Sequence, residues 1–285
     1  MSNDATTLKT ELLIDGLRFP EGPRWRDGKL WFSDMQSGLV QTVDLNGQLE
    51  KIAEVAQSPS GLGWLPDGRL LIVSMADRRL LRLDPEGLTM AADLSDLAPF
   101  HCNDMVVDKK GRAYVGNFGF DYANGQEPAG TVLIMVTPDG EKRAVADDLL
   151  FPNGAVISAD DKMLVVAETF GLRLTAFDIA PDGSLNNRRV FAQFEDKTPD
   201  GICLDAEGAI WVASPRTSEI IRVLEGGKIT HRIPTKITAV ACMLGGPDGK
   251  TLFVLSGPLG PTPAGAPGQG RIEIVRVDIP GAGLP

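Results

Sequence analysis

Oxygen-bearing side chains recur at one position in the sequence, just before an apolar run typical of a short strand. The four residues at this position are Glu21, Asn103, Asn153 and Asp200. Carboxylate and amide oxygens are the ligands that hard divalent cations prefer, and the set contains no His or Cys that would indicate a structural zinc site. Alternatively, these side chains only cap strand ends and turns, as Asn and Asp often do. Four such groups at equivalent positions favour a shared site over capping.

The equivalence of these positions follows from a repeat that runs through the chain. Six turns recur about 40 to 50 residues apart. They begin at Asp27, Asp67, Lys110, Asp160, Glu207 and Asp248. The turns are flanked by short runs rich in β-branched residues, which are strand and hairpin signals. In the remaining two repeats, the position of the polar residues holds Ser60 and Ala241.

Four short antiparallel strands per repeat, six times over, predict an all-β fold, a six-bladed β-propeller. No stretch shows a long helical apolar stripe, which argues against α/β folds, and a β-sandwich would not explain the period. We expect one domain over residues 1–285, with blades at about 16–56, 57–98, 99–148, 149–196, 197–236 and 237–279. Because an open ring would leave a free sheet edge, residues 10–14 should pair with the strand over 271–279, joining the N-terminal and C-terminal strands.

This fold would bring the polar positions together. The innermost strand of each propeller blade lines a central channel, so equivalent residues near the strand starts converge at one height. We therefore expect the two carboxylates and two amides to meet on the channel axis.

Composition argues against several classes of partner. The chain is 43% apolar and 23% charged, and its net charge of −10 disfavours nucleic acid and anionic membrane surfaces. It has no run of about 18 apolar residues, and its polar N-terminal stretch is not typical of a signal peptide. The three cysteines form no C-x-x-C pair. These features predict a reduced, cytoplasmic setting without structural disulfides.

Four motifs also resemble a known family. FPEGPRW, HCNDMVVD, FPNGAVIS and PDGICLDAEGAIWVA stand in order within about residues 13–256, and together they are similar to the senescence-marker-protein/gluconolactonase/luciferin-regenerating-enzyme family. The resemblance implies a six-bladed propeller and, for many members, a metal-dependent lactonase activity. By motif position it also implies that Glu21, Asn153 and Asp200 are metal ligands and that Asn103 contacts the substrate.

The predicted function is hydrolysis of a small-molecule lactone with one divalent cation, calcium in the first place, or zinc, magnesium or manganese. The cation would polarise the lactone carbonyl, and water would attack it, with Asp200 as ligand and catalytic general base. Two other classes stay open. One is a non-catalytic propeller binding module, and the other is a different ester hydrolase or a strictosidine-synthase-like enzyme.

Two residues depart from the pattern that the resemblance implies. His101 stands where sugar-lactone hydrolases of the family often have Arg, and Asp121 stands where they have Glu. Both residues are assigned to substrate binding. Arg and Glu would bind sugar hydroxyls, whereas His101 and Asp121 stand near Phe118, Phe120 and Tyr122. This composition suggests a less polar substrate than a sugar lactone.

Overall fold

The computed structural model describes residues 5–263 and 265–283. They form six sheets, each built on four antiparallel strands, and the innermost strand of each sheet contacts that of the next, the sixth contacting the first. The molecule is therefore a six-bladed β-propeller with four antiparallel strands per blade, which confirms the predicted fold class. Among the described residues, helix is confined to 3-10 turns at Met35–Ser37, Tyr122–Asn124 and Pro215–Thr217, and no helix there is long and apolar enough to cross a membrane.

Strands are numbered in chain order, and the first strand of blades 1 to 5 lines the channel. Two strands precede blade 1 and join later blades: β1 (Thr6–Thr7) and β2 (Glu11–Leu17). Blade 1 contains β3 (Pro20–Arg26), β4 (Lys29–Asp34), β5 (Leu39–Val43) and β6 (Leu49–Glu54). Blade 2 contains β7 (Pro59–Trp64), β8 (Leu70–Ser74), β9 (Arg79–Asp84) and β10 (Gly87–Asp93). Blade 3 contains β11 (Cys102–Val107), β12 (Ala113–Asn117), β13 (Thr131–Val136) and β14 (Lys142–Leu149).

The second half of the ring repeats this order. Blade 4 contains β15 (Pro152–Ile157), β16 (Met163–Glu168), β17 (Arg173–Ile179) and β18 (Leu185–Gln193). Blade 5 contains β19 (Ile202–Leu204), β20 (Ile210–Ser214), β21 (Glu219–Val223) and β22 (Ile229–Pro234). Blade 6 contains β23 (Ala239–Gly245), β24 (Thr251–Ser256) and β25 (Gly270–Arg276), and β2 supplies its outermost strand.

The ring is closed by the two ends of the chain. Strand β2 pairs antiparallel with β25, with Glu11 opposite Ile274 and Leu17 opposite Gly270. This is the predicted pairing of N-terminal and C-terminal strands, and it leaves no unpaired edge on blade 6 at β25. The short β1 also adds to blade 5, where Thr6 pairs in parallel with His231. A two-residue strand carries too little pattern to be predicted from sequence.

The hydrophobic core lies between neighbouring blades. Strands β12 and β20 bury every side chain, because adjacent blades cover both of their faces. Trp25 of blade 1 stacks on Phe253 of blade 6 with ring centroids 5.3 Å apart. Trp31 of blade 1 meets Trp64 of blade 2 edge-on at 5.4 Å. Such contacts hold the blades in fixed positions, and with them the inner strands that line the channel.

Candidate functional site

The start of each inner strand brings one residue to the same end of the channel. Four of these residues are the second residue of their strand: Glu21 in β3, Ser60 in β7, Asn103 in β11 and Asn153 in β15. Asp200 lies just before β19, where its backbone N–H donates to the carbonyl of Ala213. Ala241 is the third residue of β23. The fold thus brings together the positions that the repeat predicts to be equivalent.

A break in strand pairing marks this end of the channel. In five blades the register between the innermost strand and the next one shifts beside the candidate position. The shifts lie between Glu21 and Arg24, Pro59 and Leu62, Cys102 and Met105, Pro152 and Ala155, and Ala239 and Ala241. Irregularities of this kind re-aim side chains and are common beside active sites. Here they turn residues at the strand starts away from the regular ladder.

A Pro-X-Gly pattern also marks four of these positions, and our reading of the sequence missed it as a signal. The four triplets are Pro20-Glu21-Gly22, Pro59-Ser60-Gly61, Pro152-Asn153-Gly154 and Pro199-Asp200-Gly201. A Cβ atom on Gly154 would lie 2.7 Å from the backbone oxygen of Asp200, and one on Gly61 would lie 2.7 Å from Oδ1 of Asp104. Glycine therefore lets neighbouring inner strands approach closely enough to narrow the channel.

Glu21 and Asp200 are acids whose surroundings oppose their ionisation. Glu21 is 8% exposed, and burial together with the nearby Asp200 raises its pKa well above the usual range. Asp200 is partly buried, and burial raises its pKa to about 8, with a hydrogen bond from Asn153 opposing the rise and the charge of Asp104 adding to it. Two carboxyl groups that disfavour each other's charge in a cleft are typical of a functional site.

Arg24 and Asp104 form a buried ion pair beside these acids that the sequence did not reveal. Arg24 Nη2 lies 2.8 Å from Asp104 Oδ1, and its Nε donates to the carbonyl of Leu62 at 2.9 Å. Further bonds from the same guanidinium reach the carbonyls of Pro23 and Met105. The pair joins blades 1, 2 and 3 across the channel, 80 residues apart in sequence.

The two amides differ in their hydrogen bonding. Asn153 Nδ2 lies 3.2 Å from Thr169 Oγ1, which in turn donates to the carbonyl of Pro199 at 2.8 Å. This chain orients the Asn153 amide between blades 4 and 5. Asn103 is 7% exposed, and its Nδ2 has no hydrogen-bond partner among the described residues. A buried donor without a partner is costly, so its presence points to a ligand that accepts a hydrogen bond there.

The charges at this end of the channel suit one divalent cation. Three carboxyl groups, on Glu21, Asp104 and Asp200, stand against the single guanidinium of Arg24. When all are ionised, two negative charges are left over. Within the part of the chain that the structure describes, no three or more His, Cys, Asp and Glu side chains form a metal-binding group. A cation here would therefore need the amide oxygen of Asn153 besides the carboxylates of Glu21 and Asp200.

The two other predicted substrate residues lie in different surroundings. His101 is half-buried and stacks on Phe100 with ring centroids 4.1 Å apart, and burial lowers its pKa, which favours the neutral ring. The Asp121 carboxylate accepts hydrogen bonds from the backbone and side chain of Asn124, so it caps the turn at Tyr122–Asn124. Their part in substrate binding stays a prediction.

Tyr122 follows this cap and is a neighbour of the acidic site. Burial raises the pKa of its phenol, and the nearby charges of Asp200 and Asp121 raise it further. Tyr122, in the loop between β12 and β13, is therefore close enough to Asp200 for the carboxylate charge to act on its phenol. Phe118, in the same loop, stacks on Phe151 with centroids 4.3 Å apart. Aromatic rings from blades 3 and 4 thus border the polar site.

Known proteins are similar to this chain over most of its length. Regucalcin from Bos taurus is 31% identical over 260 residues, which cover 87% of this chain and 87% of that protein. Pentonolactonase XacC from Haloferax volcanii is 27% identical over 299 residues, covering 97% of this chain and 96% of that protein. Both similarities extend over nearly all of the ring.

Solved structures share the fold at lower identity. A calcium-binding protein, regucalcin, from Agrobacterium tumefaciens superimposes with a TM-score of 0.82 at 23% identity, covering 99% of this chain and 98% of that one. A luciferin-regenerating enzyme gives a TM-score of 0.82 at 20% identity, covering 96% and 97%. The family described as SMP-30/gluconolactonase/LRE-like region matches residues 19–257, a stretch that includes all six inner strands. The chain belongs to the SMP-30/gluconolactonase/LRE-like family.

Proposed function

We propose that this protein is a metal-dependent hydrolase that opens a small-molecule lactone. The observation that carries the proposal is that the channel mouth holds both acids that a positive charge would stabilise and an amide donor that needs an acceptor. Glu21 and Asp200 are acids that oppose each other's ionisation, and the buried amide donor of Asn103 has no hydrogen-bond partner within the described part of the chain. A cation would satisfy the acids, and a carbonyl oxygen would satisfy the donor. The similarity to a protein named pentonolactonase supports a lactone as the carbonyl compound.

Glu21, Asn153 and Asp200 would hold the cation. Their oxygen-only donor set favours a hard ion, with calcium first and magnesium, manganese or zinc as alternatives. The similarity to proteins named regucalcin, one of them described as calcium-binding, supports calcium. When bound, such an ion supplies Lewis-acid polarisation of the carbonyl and makes water easier to deprotonate.

Asn103 and Asp200 have separate roles in opening the lactone. Asn103 Nδ2 donates to the lactone carbonyl oxygen, where negative charge develops as the carbonyl carbon becomes tetrahedral. Asp200, whose pKa burial raises to about 8, is more basic than an exposed aspartate, and its ionised carboxylate can accept a proton from the attacking water. The water oxygen bonds to the carbonyl carbon, the ring C–O bond breaks, and a proton passes to the ring oxygen. The product is a hydroxy acid.

The test is lactone hydrolysis by chelator-treated protein with single metals added back, on a panel from gluconolactone to aryl lactones. We expect turnover that returns with the metal and is lost in Asp200→Asn. The matched control is Asp147→Asn, which makes the same chemical change at an exposed position of β14. Metal binding without lactone opening would contradict the proposed reaction and support only the metal site. Turnover that survives chelation and Asp200→Asn would contradict the mechanism.

A further inference from the structure

Four aromatic side chains form a continuous surface on one side of the channel mouth. This aromatic wall consists of Phe118, Tyr122, Phe151 and Phe170. Phe118 stacks on Phe151 at 4.3 Å, and Phe170 lies 5.3 Å from Phe151 between centroids. Tyr122 lies 5.7 Å from Phe151 and 6.2 Å from Phe170. Rings at these separations form a packed unit, so the wall presents a fixed surface.

The wall is connected to the candidate site through the backbone. The N–H of Phe118 donates to the carbonyl of His101 at 2.8 Å, only two residues before Asn103. Phe151 immediately precedes the Pro-Asn153 pair, and the N–H of Thr169, beside Phe170, donates to the carbonyl of Phe151 at 3.1 Å. Each part of the wall is therefore held within a few residues of an amide of the site.

The wall has a buried base and an exposed face. Phe151 is 6% exposed, and Phe120, which supports the wall from below, is 1% exposed with its ring 5.1 Å from Phe170. Tyr122 and Phe170, by contrast, are 51% and 41% exposed. A supported aromatic surface beside buried carboxyl groups has the character of a ligand pocket, which is mostly apolar with a few directed polar groups.

From this arrangement we infer that the aromatic wall is a substrate subsite for a flat apolar group, an aryl or fused ring carried by the lactone. The inference rests on the proposed function, because the lactone carbonyl at Asn103 fixes where the rest of the substrate lies. The imidazole of His101 lies 5.8 Å from the ring of Phe118 between centroids and extends the same side of the wall. A ring laid on Tyr122 and Phe170 would cover their exposed faces and gain stacking contacts.

The size of the exposed face fits a small molecule better than a protein. The open parts of Tyr122 and Phe170 amount to about 200 Å², since aromatic side chains bury roughly 150–250 Å² each. A stable protein interface needs about 800 Å² on each partner. One aryl ring, in contrast, covers an area of the size that is open here.

The first test compares two lactones with the same ring and similar leaving groups, γ-phenyl-γ-butyrolactone and γ-valerolactone. We expect the wild-type kcat/KM to favour the phenyl compound by about tenfold or more, as burial and stacking of one ring would give. Tyr122→Ser with Phe170→Ser should remove about tenfold of this preference, because only the phenyl compound loses stacking contacts with the wall. An unchanged preference in the folded double variant would overturn the inference.

Two control variants separate stacking from general effects. Tyr122→Phe keeps the ring and should keep the preference for the phenyl compound. Leu49→Ser removes an exposed apolar side chain from β6, outside the wall, and should have no effect on either substrate. Thermal melting of each variant shows that it is folded. If Leu49→Ser lowered the preference as much as the wall variants, the effect would not belong to the wall.

A second measurement keeps the inference testable if no lactone is opened. Saturation-transfer NMR with γ-phenyl-γ-butyrolactone reports which of its protons contact the protein. We expect the phenyl protons to be saturated most strongly in the wild type and to lose that signal in the double variant. Weak or unchanged phenyl signals would reject the subsite. Absence of turnover with a wall-dependent phenyl signal would reject the proposed function alone.

Discussion

Cation binding at the channel mouth should release protons, because the acids that would hold the cation are partly protonated beforehand. Burial and the charge of Asp104 raise the pKa of Asp200 to about 8, and burial and Asp200 raise the pKa of Glu21. A carboxyl group with a pKa near 8 is ionised in about one molecule in ten at pH 7. Metal ligands must be deprotonated, so the cation has to displace these protons.

The size of the effect follows from the number of protons displaced. Each displaced proton lowers the apparent affinity for the cation about tenfold, or about 1.4 kcal/mol, for every pH unit below the pKa of its carboxyl group. Displacement of the Asp200 proton alone lowers the apparent affinity about tenfold per pH unit below about pH 8. If a Glu21 proton is displaced as well, the fall approaches about a hundredfold per pH unit, since the two acids titrate as a pair. Above the raised pKa values, affinity should become independent of pH.

Titration calorimetry with calcium measures the protons directly. The binding enthalpy is compared in two buffers of different ionisation enthalpy, near pH 6.5 and near pH 9. We expect about one proton or more released at the lower pH and fewer at the higher one, where Asp200 is mostly ionised beforehand. Asp147→Asn should match the wild type, because its carboxylate lies on the exposed strand β14. Equal enthalpies in both buffers near pH 6.5, with calcium bound, would show that the acids are already ionised and refute the argument from burial.

Three further predictions concern the same end of the channel. Arg24→Met should lower the free energy of unfolding by about 3–5 kcal/mol, because it leaves Asp104 buried without its partner, and Arg24→Met with Asp104→Leu should recover much of this loss in urea titrations. Asp200→Ala should abolish metal-dependent turnover. It should also flatten the pH dependence of the stability of the metal-free protein. In the wild type the neutral Asp200 carboxyl stabilises the fold at low pH, and this contribution is lost as the pH rises through about 8. Thermal scans of both proteins at several pH values measure this contribution, and the same pH dependence in wild type and variant between about pH 4 and pH 8 would contradict the prediction. Gly154→Ala should displace Asp200 and lower the calcium affinity, because the new Cβ would lie 2.7 Å from the backbone oxygen of Asp200. A variant with unchanged calcium affinity would show that the contact is tolerated.

Much of the fold could be predicted because a propeller repeats itself along the chain. Six turns at a regular spacing specify six blades, and the polar residues at the starts of the inner strands of blades 1 to 5 then fall at one end of the channel. The repeat also carries the Pro-X-Gly pattern at Glu21, Ser60, Asn153 and Asp200, so this signal is present in the sequence itself. Features that every blade shares are therefore readable from one sequence.

Features that only one pair of blades shares are not readable in this way. Arg24 and Asp104 each look like an ordinary residue of an inner strand, and nothing in their spacing shows that they meet across the channel. The aromatic wall was visible in part, since Phe118 and Tyr122 follow one another in a single loop. Phe151 and Phe170 come from the next blade, so their contacts with that loop depend on the packing of blades 3 and 4.

The asymmetry of the ring explains how one substrate could use both the polar site and the aromatic wall. Blades 1, 4 and 5 supply Glu21, Asn153 and Asp200, whereas blade 3 supplies Asn103, whose Nδ2 has no partner among the described residues. The wall rises from blades 3 and 4, and the bond between Phe118 and His101 fixes its position relative to Asn103. A lactone whose carbonyl accepts from Asn103 thus has the wall on the same side of the channel. Loss of the wall should therefore weaken discrimination between substrates and leave the acids that hold the cation in place.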